Sequence, residues 1–182
     1  YDGGDLELPF GNTEKSLDMI GEYGKYIVAN DKKPVMIGGE HLVTLPMIKA
    51  CKDIYDDMIV IHFDAHADLR EDYLGEKLSH ATVMRRVSEI VGSKNIYQYG
   101  IRSGTKNEFE WGMENTNFYP LECDTFIDKF SIGIDIPIYV TIDLDVLDPS
   151  IFPGTGTPEP GGIGFNTMIE IIKKLQGYNV IG

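Results

Sequence analysis

Met58-Ile59-Val60-Ile61-His62-Phe63-Asp64-Ala65-His66-Ala67-Asp68 is the stretch on which the reading of this chain turns. Its first six residues form an apolar run with the length and β-branched content of a buried strand. Alternate side chains of an extended chain point the same way. Asp64, His66 and Asp68 are therefore expected to converge on one side where the strand ends, and two carboxylates with an imidazole make a metal-binding set. Two further strand ends repeat the design. The apolar run Ile138–Ile142 leads into Asp143-Leu144-Asp145-Val146-Leu147-Asp148-Pro149, and Pro34–Ile37 leads into Gly38-Gly39-Glu40-His41.

Charge sharpens the reading. Asp64, Asp68, Asp143 and Asp145 bring four carboxylates into one small region, and like charges held that close cannot all stay ionised without compensation. No Lys or Arg within these motifs supplies it, whereas two divalent cations would. The mixture of carboxylate and imidazole suits Mn2+ best, Mg2+ or Ca2+ less well, and Zn2+ remains an alternative.

The chain has 182 residues, enough for one well-packed domain, and its 42% hydrophobic and 25% charged content is ordinary for a globular protein. A net charge of −13 argues against nucleic acid and favours cationic ligands. The two cysteines, Cys51 and Cys123, make no disulfide framework and read as reduced thiols of a cytoplasmic protein. No signal peptide and no apolar run of membrane-spanning length is visible. The sequence starts at Tyr1 and stops in what reads as a new strand at Tyr178–Gly182, so it is expected to be a fragment of a longer chain.

Apolar strands alternate with helical patterns throughout, the signature of a parallel sheet covered on both faces. Helices are expected over 13–30 (Asn12 as N-cap), 43–55 (Pro46 in the first turn), 81–91 (ended by Gly92), 106–114, 123–130 and 165–175. Strands are expected over 35–37, 58–63, 96–101, 117–119 and 138–142. A polar loop spans 69–79 and a Gly/Pro-rich loop spans 150–164. With no repeat or linker, residues 1–182 read as a single domain. Ligands of open parallel sheets bind at the carboxyl ends of strands, where all three clusters lie.

The motifs Gly38-Gly39-Glu40-His41, Asp64–Asp68 and Asp143–Pro149, followed by Gly154-Thr155-Gly156-Thr157-Pro158-Glu159-Pro160-Gly161-Gly162, resemble the ureohydrolase family of arginase, agmatinase and their relatives. Ser79-His80-Ala81-Thr82 and Gly100-Ile101-Arg102-Ser103-Gly104 look most like the agmatinase branch. The resemblance implies a three-layer α/β/α fold around a mostly parallel sheet and a pair of Mn2+ ions. One ion would be held by His41, Asp64, Asp68 and Asp143, the other by His66, Asp64, Asp143 and Asp145. It further implies hydrolysis of a guanidino compound to urea and an amine, with Asp68 hydrogen-bonding the attacking group and His80 shuttling the proton to the leaving amine. Thr157 would line the guanidinium pocket and Glu159 its mouth. A further family Glu that pairs with the guanidinium, and the family's first strand, have no counterpart in these residues. A trimer or hexamer is the assembly that the resemblance suggests.

Other readings of the same residues are blander. His62 is expected to be buried and structural or supporting, pointing away from the Asp64 cluster. Arg102 and Ser103 read as ion-pair and capping residues, Asp148 as a turn former, and Glu40 receives no role. The 69–79 loop carries Glu71, Asp72 and Glu76 against Arg70 and Lys77, a net charge of −1 that favours an amine tail on the substrate, as agmatine has. A non-catalytic metal-stabilised relative is the rival of a different class. A two-metal phosphoesterase ranks lower, because the motifs hold no phosphate-binding cation.

Overall fold

The computed structural model describes all residues of 1–182 except Asp124. Its elements in chain order are α1 (Thr13–Ala29), α2 (Thr44–Lys52), β1 (Ile59–Phe63), α3 (Val83–Val91), β2 (Ile96–Tyr99), α4 (Lys106–Asn115), β3 (Asn117–Tyr119), α5 (Thr125–Lys129), β4 (Ile138–Ile142) and α6 (Phe165–Leu175). The four strands are parallel, in the order β3-β2-β1-β4. All five residues of β1 are buried. That is what a near-continuous apolar run requires of a strand covered on both faces.

Two apolar layers sandwich the sheet. On one side Ile20 and Val28 of α1, Met47 and Ile48 of α2 and Val83 and Val87 of α3 pack on Val60 and Ile96. On the other, Phe126 of α5 and Met168, Ile171 and Leu175 of α6 pack on Ile59, Ile61 and Phe63. Odd and even residues of β1 thus feed opposite cores, and the expected three-layer α/β/α architecture is the one observed. Cys51 and Cys123 are buried in opposite layers.

Helix boundaries follow local chemistry. The Asn12 side chain accepts from Lys15 N at 3.0 Å and starts α1. Gly92, at φ +86°, ends α3. Thr105 and Glu108 form a reciprocal capping box at the start of α4.

The expected strand 35–37 is not formed. A strand exists only against a partner, and this segment pairs with none among the described residues. Val35 and Ile37 stand 91% and 97% exposed, while Met36 alone turns toward the core. The expected helix 43–55 is shorter and begins with a tight 3-10 turn, His41–Val43, capped by the Glu40 carboxylate on Leu42 N at 3.1 Å. Glu40 therefore has a definite job, which is to shape the turn that carries His41.

Candidate metal centre

β1 ends at Phe63, but its backbone pairing continues through the next residues. Asp64 N donates to Tyr99 O, Arg102 N and Ser103 N both donate to Ala65 O, and Ala67 N donates to Ser103 O. Asp68 then adopts φ +53°, a left-handed conformation that Asp tolerates better than most residues. This bend aims the Asp68 carbonyl at the start of α3, where it accepts from Met84 N at 3.0 Å and Arg85 N at 3.2 Å. The extended alternation expected through Asp68 therefore stops short, and the side chains converge by a turn instead.

They do converge. His41 Nδ1 lies 3.0 Å from Asp64 Oδ2, 3.0 Å from Asp68 Oδ2 and 3.8 Å from Asp143 Oδ2. His66 Nδ1 lies 2.9 Å from Asp145 Oδ2 and 3.5 Å from Asp64 Oδ1. Asp64 thus turns one oxygen toward each histidine. Backbone amides fix the carboxylates: His66 N donates to Asp64 Oδ1 at 2.6 Å, Ala65 N to Asp145 Oδ1 at 3.1 Å and Asp145 N to Asp143 Oδ1 at 3.0 Å. The six residues expected as ligands are gathered at the carboxyl ends of β1 and β4, with His41 delivered by the turn before α2.

The protonation equilibria are strained in opposite directions. Burial works against ionisation of Asp64, but the surrounding imidazoles of His62, His41 and His66 hold its carboxyl well below the usual range. Burial, and then the neighbouring Asp64 charge, push both Asp68 and Asp143 up. Burial opposes the His41 imidazolium, yet Asp64 and Asp68 outweigh it and raise His41 well above its ordinary value. Hydrogen bonding to Asp145, and then to Asp64, raises His66 to about 10. A site that recruits protons this strongly is short of positive charge.

One atom tests whether metal ions fit. His41 Nδ1 is fully buried amid three carboxylates, yet makes no well-formed hydrogen bond with any of them. The other ring nitrogen is engaged, 3.0 Å from Thr141 Oγ1. A buried nitrogen aimed at a point shared with carboxylate oxygens is a coordination geometry, and Oδ/N donors suit divalent cations. His41, His62, Asp64 and Asp68 form one set of close donor atoms, and Asp64, His66 and Asp145 a second that shares Asp64. The donor set fits a binuclear metal site.

Behind the carboxylates lies a row of polar residues, of which sequence reasoning singled out His62 and overlooked Gln98 and Thr141. Gln98, His62 and Thr141 are register partners on β2, β1 and β4. His62 does not point away from the cluster: period two places it on the same face as Asp64, and its Nε2 lies 2.7 Å from Asp64 Oδ2. Its contacts put it within reach of the cluster. Polar residues inside otherwise apolar strands were the available signal.

Around the rim, the turn His80–Thr82 packs against the turn carrying His41, and His80 itself is exposed. Its Nδ1 is 3.4 Å from Ser79 Oγ, and its ring meets Tyr73 edge-on at 5.5 Å. Thr157 is exposed on the 150–164 loop. Glu159 Oε1 accepts from Ser103 Oγ at 2.9 Å and lies 3.8 Å from His66 Nε2. Arg102 makes no ion pair among the described residues. It donates to the backbone carbonyls of Gly100, Asp145, Val146, Glu159 and Pro160, the shortest being Asp145 O at 2.7 Å. It therefore ties the 150–164 loop to the Asp145 turn and leaves no donor for a phosphate.

Asp148 also does more than turn the chain. Its carboxylate accepts from Ser150 N, Gly161 N and Gly162 N, and the Ser150 side chain first, then these amides, lower its pKa to about 2. Gly162 passes so close to the Leu147–Asp148 backbone that a Cβ would collide with it. In the 69–79 loop, Arg70 pairs with Glu108, and Glu71 is taken by Arg85 and Arg86. The net charge of that loop is therefore not what a substrate tail would meet.

A family model described as the arginase family matches residues 1–182. An agmatinase of Bacillus cereus is 47% identical over 182 residues, covering 99% of this chain and 63% of the relative. An agmatinase of Bacillus subtilis is 48% identical over 190 residues, with the same coverage. A crystal structure from Clostridium difficile superimposes at a TM-score of 0.94, with 51% identity, covering 98% of this chain and 66% of that one. This chain thus spans about 63% of the length of the curated relatives it matches. No helix among the described residues is long and apolar enough to cross a membrane.

Proposed function

The chain belongs to the arginase family, and from that premise we propose that it serves the hydrolysis of a guanidino compound, agmatine, to urea and putrescine. The observation that carries the reading is the unpartnered His41 Nδ1, buried among Asp64, Asp68 and Asp143 beside a second histidine-carboxylate group. The naming of the Bacillus relatives as agmatinases supports the choice of substrate. In this reading residues 1–182 belong to one ureohydrolase domain of a cytoplasmic homo-oligomer, a trimer or hexamer.

The metal pair is assigned to Mn2+. His41, Asp64, Asp68 and Asp143 would hold one ion and His66, Asp64, Asp143 and Asp145 the other. When bound, the pair supplies Lewis acidity and brings the ionisation of water near neutral pH. The protein's own groups do the rest. Asp68 accepts a hydrogen bond from the attacking water and so orients its lone pair toward the guanidinium carbon. As the carbon–nitrogen bond breaks and urea forms, the departing amine needs a proton. His80, exposed to solvent and in contact with Ser79 and Tyr73, would relay it. Thr157 and Glu159, on the loop clasped by Arg102, border the substrate entrance.

The test is urea release by the Mn2+-loaded protein with agmatine, arginine, guanidinobutyrate and formimidoylglutamate in parallel. Agmatine is expected to be preferred, and His80→Ala is expected to lower turnover by roughly 10²–10⁴-fold with metals and fold retained. Preference for arginine would end the agmatine assignment. Urea from none of them would favour a metal-stabilised protein without catalysis.

A further inference from the structure

His62 lies close enough to the cluster to be counted among its donors. Its hydrogen bonds say otherwise. Gln98 Nε2 is 2.9 Å from Ala67 O and 3.0 Å from His62 Nδ1. A backbone carbonyl only accepts, so the amide nitrogen of Gln98, not its oxygen, must face Ala67. The same NH2 group then donates to His62 Nδ1, which must be a bare acceptor. The ring proton therefore sits on Nε2, 2.7 Å from Asp64 Oδ2. Gln98 Oε1 points instead toward Thr116 Oγ1 at 3.3 Å, a hydroxyl that also donates to Gly112 O at 2.9 Å.

We infer that His62 is a positioning residue rather than a metal ligand: Gln98 fixes its tautomer, and it donates Nε2–H to Asp64. This deepens the metal reading proposed above and rests on it. Coordination through Nε2 would require the proton to move to Nδ1, where it would confront the Gln98 NH2 group. Turning that amide over would set its oxygen against Ala67 O. Both escapes leave like groups facing each other in a region without water access, since His62 and Gln98 are each 0% exposed.

The arrangement has a use. Among the described residues Asp64 is the one carboxylate that faces both His41 and His66, and its Oδ1 is already fixed by His66 N. A donor on Oδ2 fixes the other oxygen, so the plane of the carboxylate is set before any ion arrives. Hydrogen-bonded partners behind metal ligands are typically worth 10–100-fold in metal affinity.

Three variants and one spectroscopic measurement test this. Gln places an amide NH2 where His has Nε2–H, so His62→Gln is expected to keep two ions per chain with affinity within a few-fold of the unaltered protein. His62→Leu is expected to weaken binding 10–100-fold, and Gln98→Leu by at least 10-fold, as read by chelator competition. Thermal melting monitors folding of each variant. Nitrogen-15 NMR of the imidazoles, in the metal-free and the Zn2+-loaded protein, is expected to show His62 protonated on Nε2 and bare on Nδ1 in both. A metal-induced shift at His62 Nε2, a proton on Nδ1, or equal loss of one ion in His62→Gln and His62→Leu would overturn the assignment. Failure of the unaltered protein to bind two ions would sink the metal reading instead. The tautomer in metal-free protein would still decide whether Gln98 sets His62, even if the leucine variants failed to fold.

Discussion

Loading the site with metal should expel protons, and the number follows from its electrostatics. In the metal-free protein His66 titrates at about 10 and His41 is raised well above its ordinary value, both because of the carboxylates beside them. Near pH 7.5 both imidazoles are therefore protonated. With four aspartates the cluster carries about two net negative charges, which two divalent ions would overshoot unless the imidazolium protons left. Coordination requires those protons to leave, since Nδ1 is the donor atom in both residues. Two released protons make joint loading about 100-fold more favourable per pH unit, or about 2.7 kcal/mol at 1.36 kcal/mol per proton. The assay is calorimetric titration with Mn2+ in buffers of different ionisation enthalpy at pH 7.5, which yields the proton count directly. Release of less than one proton would refute the reasoning, because the imidazoles would then be neutral before metal arrives. The pH dependence of stability differs between the two forms. A histidine whose pKa is raised on folding stabilises the fold fully below its unfolded value, near 6.5, and ceases to do so as pH climbs through its folded value. Metal-free protein should thus lose stability between about pH 6.5 and 10, and metal-loaded protein should not show that loss.

Three substitutions probe the supports of the site. Thr141→Val keeps the volume but removes the oxygen 3.0 Å from both His41 Nε2 and Thr44 Oγ1, so metal affinity should fall by about 10-fold or more and stability by about 1–3 kcal/mol; unchanged affinity in a chelator titration would remove Thr141 from the story. Arg102→Lys cannot reach five carbonyls at once, and urea denaturation should report a loss of about 2–3 kcal/mol. Gly100→Ala forces an L side chain to φ +85° and sets its Cβ 3.1 Å from Asp64 O. The backbone term alone is about 1–2 kcal/mol, so both the melting temperature and metal affinity should drop.

The fold was legible where hydrophobic periodicity was strong. β1 and β4 announced themselves as apolar runs, and α6 over Phe165–Leu175 came out with its observed bounds. Residues 35–37 have the same apolar character and form no strand, because pairing is a property of two segments and the pattern describes only one. The residues of the candidate centre were legible because three apolar runs each lead into acidic residues or His. Their convergence was reached for a partly wrong reason, since the left-handed Asp68 lies outside strand alternation. Gln98 and Thr141 stayed hidden because each sits alone in its own strand. Their meaning arises only from the register that sets them beside His62. Arg102 was likewise unreadable, as backbone carbonyls leave no mark in a sequence.

The 150–164 loop is closed at its base by two independent tethers, Asp148 to Gly161 and Gly162, and Arg102 to Glu159 and Pro160. Strain introduced between residues 151 and 158 is therefore dissipated before it reaches the Asp145 turn. Substitutions confined to residues 151–158 are therefore expected to leave metal affinity unchanged in a chelator titration.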